Sequence, residues 1–247
     1  MSALRELLPP SRQRVALDRE VSQAAKLERR VLDDFDLVVT VSQEDADMLP
    51  GPSLVIPNGV DPQAFVPSPL GQGRHVVFTG TLSYLPNVDG LSWFCREVLP
   101  LIQADVPDVV FDVVGRDAVP QVRALADGRS VVLHPDVPAV QPYLDAARVC
   151  VVPLRIGTGS RLKALEAMAS GRPVAGTTMG LMGLDLTDQA VVADEPRALA
   201  DGVVQLLNDD ALAGRLAAAG RAHVEEAFAW TTLGSTLVDQ VSRLNPG

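Results

Sequence analysis

From Arg74 onward, short apolar runs alternate with stretches whose apolar residues recur at helical spacing. The runs lie at about 75–79, 109–114, 130–133, 148–153, 173–176 and 190–193 and predict strands. The stretches near 87–104, 118–126, 138–147, 160–170, 195–208, 210–227 and 230–243 predict amphipathic helices. Parallel strands joined by right-handed helical crossovers satisfy this alternation, so an α/β fold with a Rossmann-like, doubly wound parallel sheet is expected. The chain before it reads differently. Residues 11–34 carry one apolar helical face among nearly cancelling charges. The β-branched run Asp36–Ser42 suits a buried strand, and Ser42 ahead of Glu44 and Asp45 suits a helix start. Residues 62–73, with three prolines and two glycines, resemble a linker. The expected organisation is a partial N-terminal segment (1–62), a Rossmann-like domain (63–227) and a C-terminal helix (228–247).

Composition narrows the classes. Among 247 residues, 47% are hydrophobic and 21% charged, an ordinary globular balance. No run approaches the roughly 20 apolar residues of a membrane span. The opening Met1-Ser2-Ala3-Leu4-Arg5-Glu6 lacks the features of a secretory signal, so a cytoplasmic location is expected. The net charge of −10 disfavours nucleic acid and anionic lipid as partners. Within that acidic chain, residues 148–172 hold Arg148, Arg155, Arg161, Lys163 and Arg172 against Glu166 alone. A cationic island of this size suggests a small anionic ligand. Cys95 and Cys150 and the three scattered histidines indicate neither a disulfide framework nor a zinc site.

The informative segment is Val151 to Val174, which reads strand, glycine-rich loop, helix, stop, strand. Gly157 and Gly159 let backbone approach a ligand closely, and Thr158 or Ser160 can cap the helix. A helix N-terminus already carries positive partial charge, so Arg161 and Lys163 in its first turn cost roughly 0.3–1 kcal/mol each if uncompensated. A phosphate reverses the sign, because open amides and both cations converge on it. The plainer alternative is two cations screened in solvent. Glu166 can accept hydrogen bonds from vicinal hydroxyls, or it can pair with Lys163 at i, i+3 for a few tenths of a kcal/mol. Leu162, Leu165, Met168 and Ala169 are expected to face the core. Motifs of P-loop ATPases, dinucleotide oxidoreductases, zinc proteases and α/β hydrolases are absent from the chain.

A set of short motifs resembles the donor-binding half of glycosyltransferase family 4, which has two facing Rossmann-like domains (GT-B). They are Val55-Ile56-Pro57-Asn58-Gly59-Val60-Asp61…Phe65, Phe78-Thr79-Gly80, Val113-Val114-Gly115-Arg116, Arg161-Leu162-Lys163-Ala164-Leu165-Glu166-Ala167-Met168-Ala169, Gly171-x-Pro173-Val174 and Phe228-x-Trp230. Thr79-Gly80…Tyr84-x-Pro86-Asn87-Val88-Asp89…Trp93-Phe94 is closer to bacterial sugar transferases of exopolysaccharide clusters. The resemblance implies a nucleoside-diphosphate sugar as donor and transfer of its sugar with retention. It implies diphosphate contacts from Arg161, Lys163, Gly80, Gly157, Gly159 and Ser160, and a ribose contact from Glu166. It places Thr158 beside the sugar, His134 and Val137 beside the base, and Gly115 with Gly80 on the phosphate side. No metal or other cofactor is implied. Thr158 stands where the family's first motif glutamate is expected, and Thr81-Leu82-Ser83-Tyr84 replaces a run that often carries cations. Residues 1–50 resemble only the last helix and strand of an acceptor domain, which the resemblance would supply in cis or in trans. A non-catalytic nucleotide-sugar-binding module is the second class that fits; ligand binding without transfer would mark it.

Overall fold

The computed structural model describes residues 19, 22–24, 26–27, 30, 32, 34–49, 51–157 and 159–244. The chain forms two compact units, residues 1–56 with 240–247, and residues 57–239. In the first unit, the described residues between 19 and 32 are helical, as their spacing predicts. Strands β1 (Val39–Thr40) and β2 (Leu54–Val55) pair in parallel around helix α1 (Gln43–Met48). Ser42 caps α1, its hydroxyl accepting from the Asp45 amide at 3.1 Å. The buried strand expected over Asp36–Ser42 shrinks to two residues, and Val39 is 43% exposed. Among the described residues it pairs with β2 in a two-stranded sheet.

The second unit carries six parallel strands: β3 (His75–Thr79), β4 (Val110–Gly115), β5 (Val131–Pro135), β6 (Val149–Val152), β7 (Val174–Gly176) and β8 (Val191–Val192). Their spatial order is β5-β4-β3-β6-β7-β8, so the chain winds outward from β3, returns to β6 and winds the other way. This is the doubly wound order with a switch point between β3 and β6. Alternate residues feed two cores. Val76, Phe78, Phe111 and Val113 pack on one face, and Val77, Val114, Cys150 and Val152 on the other. Burial on both faces is why these strands read as continuous apolar runs. Each fully buried side chain among them contributes about 1.5–3 kcal/mol.

The helices match the amphipathic stretches. Helix α2 (Leu85–Trp93) continues through a π-helical turn at Phe94–Val98 into α3 (Leu99–Asp105), the widened turn preceding Pro100. Short helices α4 (Pro120–Arg123) and α5 (Gln141–Ala146) follow β4 and β5, and α6 (Leu162–Ala169) follows β6. Beyond β7 come α7 (Thr178–Leu181), α8 (Pro196–Asn208), α9 (Asp210–His223) with a π-helical turn at Val224–Phe228, and α10 (Trp230–Leu244).

The cationic island disperses on folding. Arg148 donates Nε to Leu206 O at 3.0 Å and contacts Asp210, and Arg155 grips Asp89 through two bonds of 3.0 and 2.6 Å. Arg172 is wholly buried and donates to the carbonyls of Pro69 (3.0 Å), Ala147 (3.1 Å), Ser170 (3.3 Å) and Ser68. It ties the 62–73 segment to the sheet. Arg172→Met should therefore cost about 3 kcal/mol in urea denaturation, since several buried carbonyls lose their donor. Arg172→Lys should recover only part of it, because one ammonium cannot span the acceptors a guanidinium reaches.

Candidate functional site

A cleft of about 620 Å³ opens at the carboxyl ends of β3, β4, β5 and β6, at the switch point of the sheet. Thr79, Gly80, Thr81, Tyr84 and Asn87 line it after β3, Gly115 and Arg116 after β4, and Val137 and Val140 after β5. Leu154, Ser160, Arg161, Leu162, Lys163 and Glu166 line it after β6. The strand ends are knit together: Gly80 N donates to Val114 O (3.0 Å), Leu82 N to Arg116 O (2.7 Å) and Asp136 N to Gly115 O (2.7 Å).

The glycine loop before α6 takes conformations that favour glycine, with φ of 113° at Gly157 and 92° at Gly159. A Cβ on Gly157 would lie 2.9 Å from the Pro86 ring, so the loop also depends on close approach to α2. Neither glycine borders the cleft; they shape the loop behind it. Thr158 lies outside the described residues. Ser160 does not cap α6. Its hydroxyl accepts from Asn58 Nδ2 at 2.6 Å, and Arg161 stands at the N-cap with no side-chain cap bond. Among the described residues no side chain caps the helix, whose first amides lack an intrahelical partner.

Arg161 is 4% exposed and its guanidinium braces the loop, donating to Gly159 O (2.6 Å), Met179 O (2.9 Å) and Gly157 O (3.4 Å). Lys163 reaches Asn87 Oδ1 at 2.5 Å and lies 4.3 Å from the centroid of the Phe78 ring. Burial pushes its ammonium down to about 8, Arg161 acts in the same direction, and Glu166 opposes it. Burial raises the Glu166 carboxyl, and Lys163 draws it partly back. The i, i+3 surface pair considered from spacing gives way to a lysine held by Asn87 and a glutamate that borders the cleft. Leu162, expected in the core, is 41% exposed and lines the cleft. Leu165, Met168 and Ala169 are buried as expected.

His134 turns from the cleft. Its Nε2 meets Asp112 Oδ1 at 2.7 Å, and the other carboxylate oxygen meets His75 Nδ1 at 2.6 Å. Val137 does border the cleft. Asn87, Tyr84, Arg116 and Val140 also line the cleft, with no role expected from the sequence. The signal for Asn87 was available: a weak helix former in the first turn of a helix. Among the described residues, no His, Cys, Asp and Glu side chains gather in a group able to hold a metal ion. Nor is any described helix long and apolar enough to cross a membrane.

Residues 73–209, more than half of the chain, match the family described as Glycosyl transferases group 1. The chain belongs to that family. This group 1 glycosyltransferase is 28% identical over 200 residues to the phosphatidyl-myo-inositol mannosyltransferase of Mycobacterium tuberculosis, covering 74% of this chain and 52% of that one. It spans about a third to a half of the length of the curated relatives it matches. Its fold is similar to that of sucrose-phosphate synthase from Thermosynechococcus elongatus, with TM-score 0.72 and 22% identity over 90% of this chain and 62% of that chain. Anabaena HepE, solved in complex with UDP and glucose, gives TM-score 0.71 and 17% identity over 89% of this chain and 66% of that chain. These likenesses establish a GT-B-type fold for the glycosyltransferase.

Proposed function

We propose that the cleft binds the nucleoside diphosphate of a sugar donor, and that the chain is the donor half of a transferase moving that sugar to an acceptor with retention. The observation that carries this reading is the meeting of Lys163, the open amides of α6 and the Gly80 turn at one switch point. When the bond from the anomeric carbon to the diphosphate oxygen breaks, the electron pair stays with the diphosphate. Dipoles and a cation already in place stabilise that developing charge. Lys163 takes the diphosphate, with Arg161 adding positive charge behind the loop and Ser160 beside it. Glu166 accepts from the ribose hydroxyls, and the backbone from His134 to Val137 with Val140 meets the base. Polysaccharide or glycoconjugate synthesis is the pathway class this chemistry serves.

Calorimetry with UDP and GDP across pH tests the reading. The diphosphate needs the Lys163 ammonium, so affinity should fall as pH rises through about 8. An anion beside the ammonium favours its protonated form. Binding near pH 8 should therefore take up a fraction of a proton, visible as a buffer-dependent enthalpy. At the acid side, protonation of Glu166 removes the ribose acceptor and affinity should fall again. Failure of both nucleotides to bind the folded chain at millimolar concentration overturns the proposal.

A further inference from the structure

The lysine of the cleft is held by a residue that the diphosphate reading does not use. Asn87, the third residue of α2, is only 3% exposed. Its Nδ2 donates to Thr81 O at 2.7 Å, and its Oδ1 accepts from Lys163 Nζ at 2.5 Å. The carbonyl of Thr81 and the ammonium of Lys163 together leave one orientation of the amide, acceptor toward the lysine. The same geometry presses the ammonium onto the Gly80 turn. A Cβ added to Gly80 would lie 3.1 Å from Lys163 Nζ and 3.0 Å from Asn87 Nδ2.

The choice of a neutral acceptor matters because of what surrounds it. On α2, the nearby carboxylate of Asp89 is taken up by Arg155. On α6 and its cap stand Glu166 and Arg161, and Cys150 approaches from β6. After β4, Arg116 pairs with Asp117 at 3.8 Å. Phe78 of β3 offers a ring face, which favours the cation without cancelling its charge. Lys163 is thus fixed in place by hydrogen bond and ring, and its positive charge is left for a ligand. A carboxylate at position 87 would fix it equally well and neutralise it. An apolar side chain there would leave it neither fixed nor satisfied.

We propose that Asn87 is a positioning residue, aiming Lys163 at the Gly80 turn through a neutral acceptor, so that the group holding the ammonium does not neutralise it before it meets the donor diphosphate. This rests on the nucleoside-diphosphate reading of the cleft. It adds a requirement on helix α2 that the Arg161–Glu166 segment does not contain.

The chain has two lysines, Lys26 and Lys163, so ¹³Cε signals of labelled lysine report Lys163 beside one exposed reference. In the ligand-free chain, the Lys163 signal should titrate with a midpoint of about 8, and the Asn87 side-chain amide should shift with the same midpoint. In Asn87→Asp the Lys163 midpoint should rise by about one pH unit or more. Calorimetry at pH 7 should show UDP and GDP binding to that variant about tenfold more weakly, although its lysine is fully protonated. Asn87→Ala should also lose about tenfold. A purely structural asparagine predicts variants that melt earlier, with affinity unchanged in the folded fraction. That result overturns the inference. So does an Asn87 amide indifferent to the Lys163 titration in the unmutated chain, a measurement that stands even if Asn87→Asp does not fold. If the unmutated chain binds neither nucleotide, the reading of the cleft falls and this inference with it. If it binds both and Asn87→Asp binds them equally, only the role of Asn87 falls.

Discussion

Lys163→Ala should weaken UDP or GDP binding by about 10- to 100-fold while leaving the chain folded. A hydrogen bond to a charged group is worth about 1.5–3 kcal/mol, and each 1.4 kcal/mol is a factor of ten. Few other charges compensate. Arg161 is engaged by three carbonyls of the loop and α7, and Arg116 is a mostly exposed side chain beside Asp117. Stability should change little, because two effects oppose each other. The variant leaves Asn87 Oδ1 without its donor, at about 1 kcal/mol. It also removes an ammonium whose burial is unfavourable, as its lowered pKa records. Calorimetry for affinity and a thermal melt for stability separate the two. A variant that binds as tightly as the unmutated chain removes Lys163 from the site.

The largest stability loss is expected from a change without any charge. Gly115→Ala should cost about 3 kcal/mol or more in urea denaturation, with a lower midpoint and a similar slope. A Cβ there would overlap the carbonyl oxygen of Gly80 and come within 3.1 Å of Leu82. Both neighbours are pinned, since Gly80 N donates to Val114 O and Leu82 N to Arg116 O. Backbone cannot swing aside as a flexible side-chain tip can. Relief would have to come from moving the Gly80 turn, which would also disturb the cleft, so the folded fraction should bind nucleotide poorly. Gly214→Ala is the matched control. It lies inside α9 with open space where its Cβ would go, and alanine there should be neutral or stabilise by about 1 kcal/mol.

Much of this architecture was legible from residue order. The six strands and the helices between them fall close to where β-branched runs and helical spacing place them, because strands buried on both faces must be apolar throughout. Leu165, Met168 and Ala169 were likewise readable as core. Lys163 and Glu166 came out together because they share one helix face, and a helix carries that relation in its spacing. What spacing does not carry is tertiary partnership. Asn87 lies far from Lys163 along the chain and reaches it only because β3 and β6 are neighbours. The cluster of arginines from 148 to 172 misled for the same reason. Arg148 and Arg172 are close to Lys163 in sequence, yet they satisfy carbonyls at the other end of the sheet and beneath the linker. The apolar character of Leu162 suggests the core, whereas the first turn of α6 faces the cleft. The composition of Asp36–Ser42 suggests burial, but burial needs layers on both sides, and composition does not report them.

The most direct measurement is an amide NMR titration of the full chain with UDP and with GDP, following backbone signals residue by residue. Saturable shifts should be largest at Gly80, Gly115, Leu162 and Lys163, which border the cleft. Saturable shifts centred elsewhere, or none at millimolar nucleotide in a folded sample, would contradict nucleotide binding in the cleft.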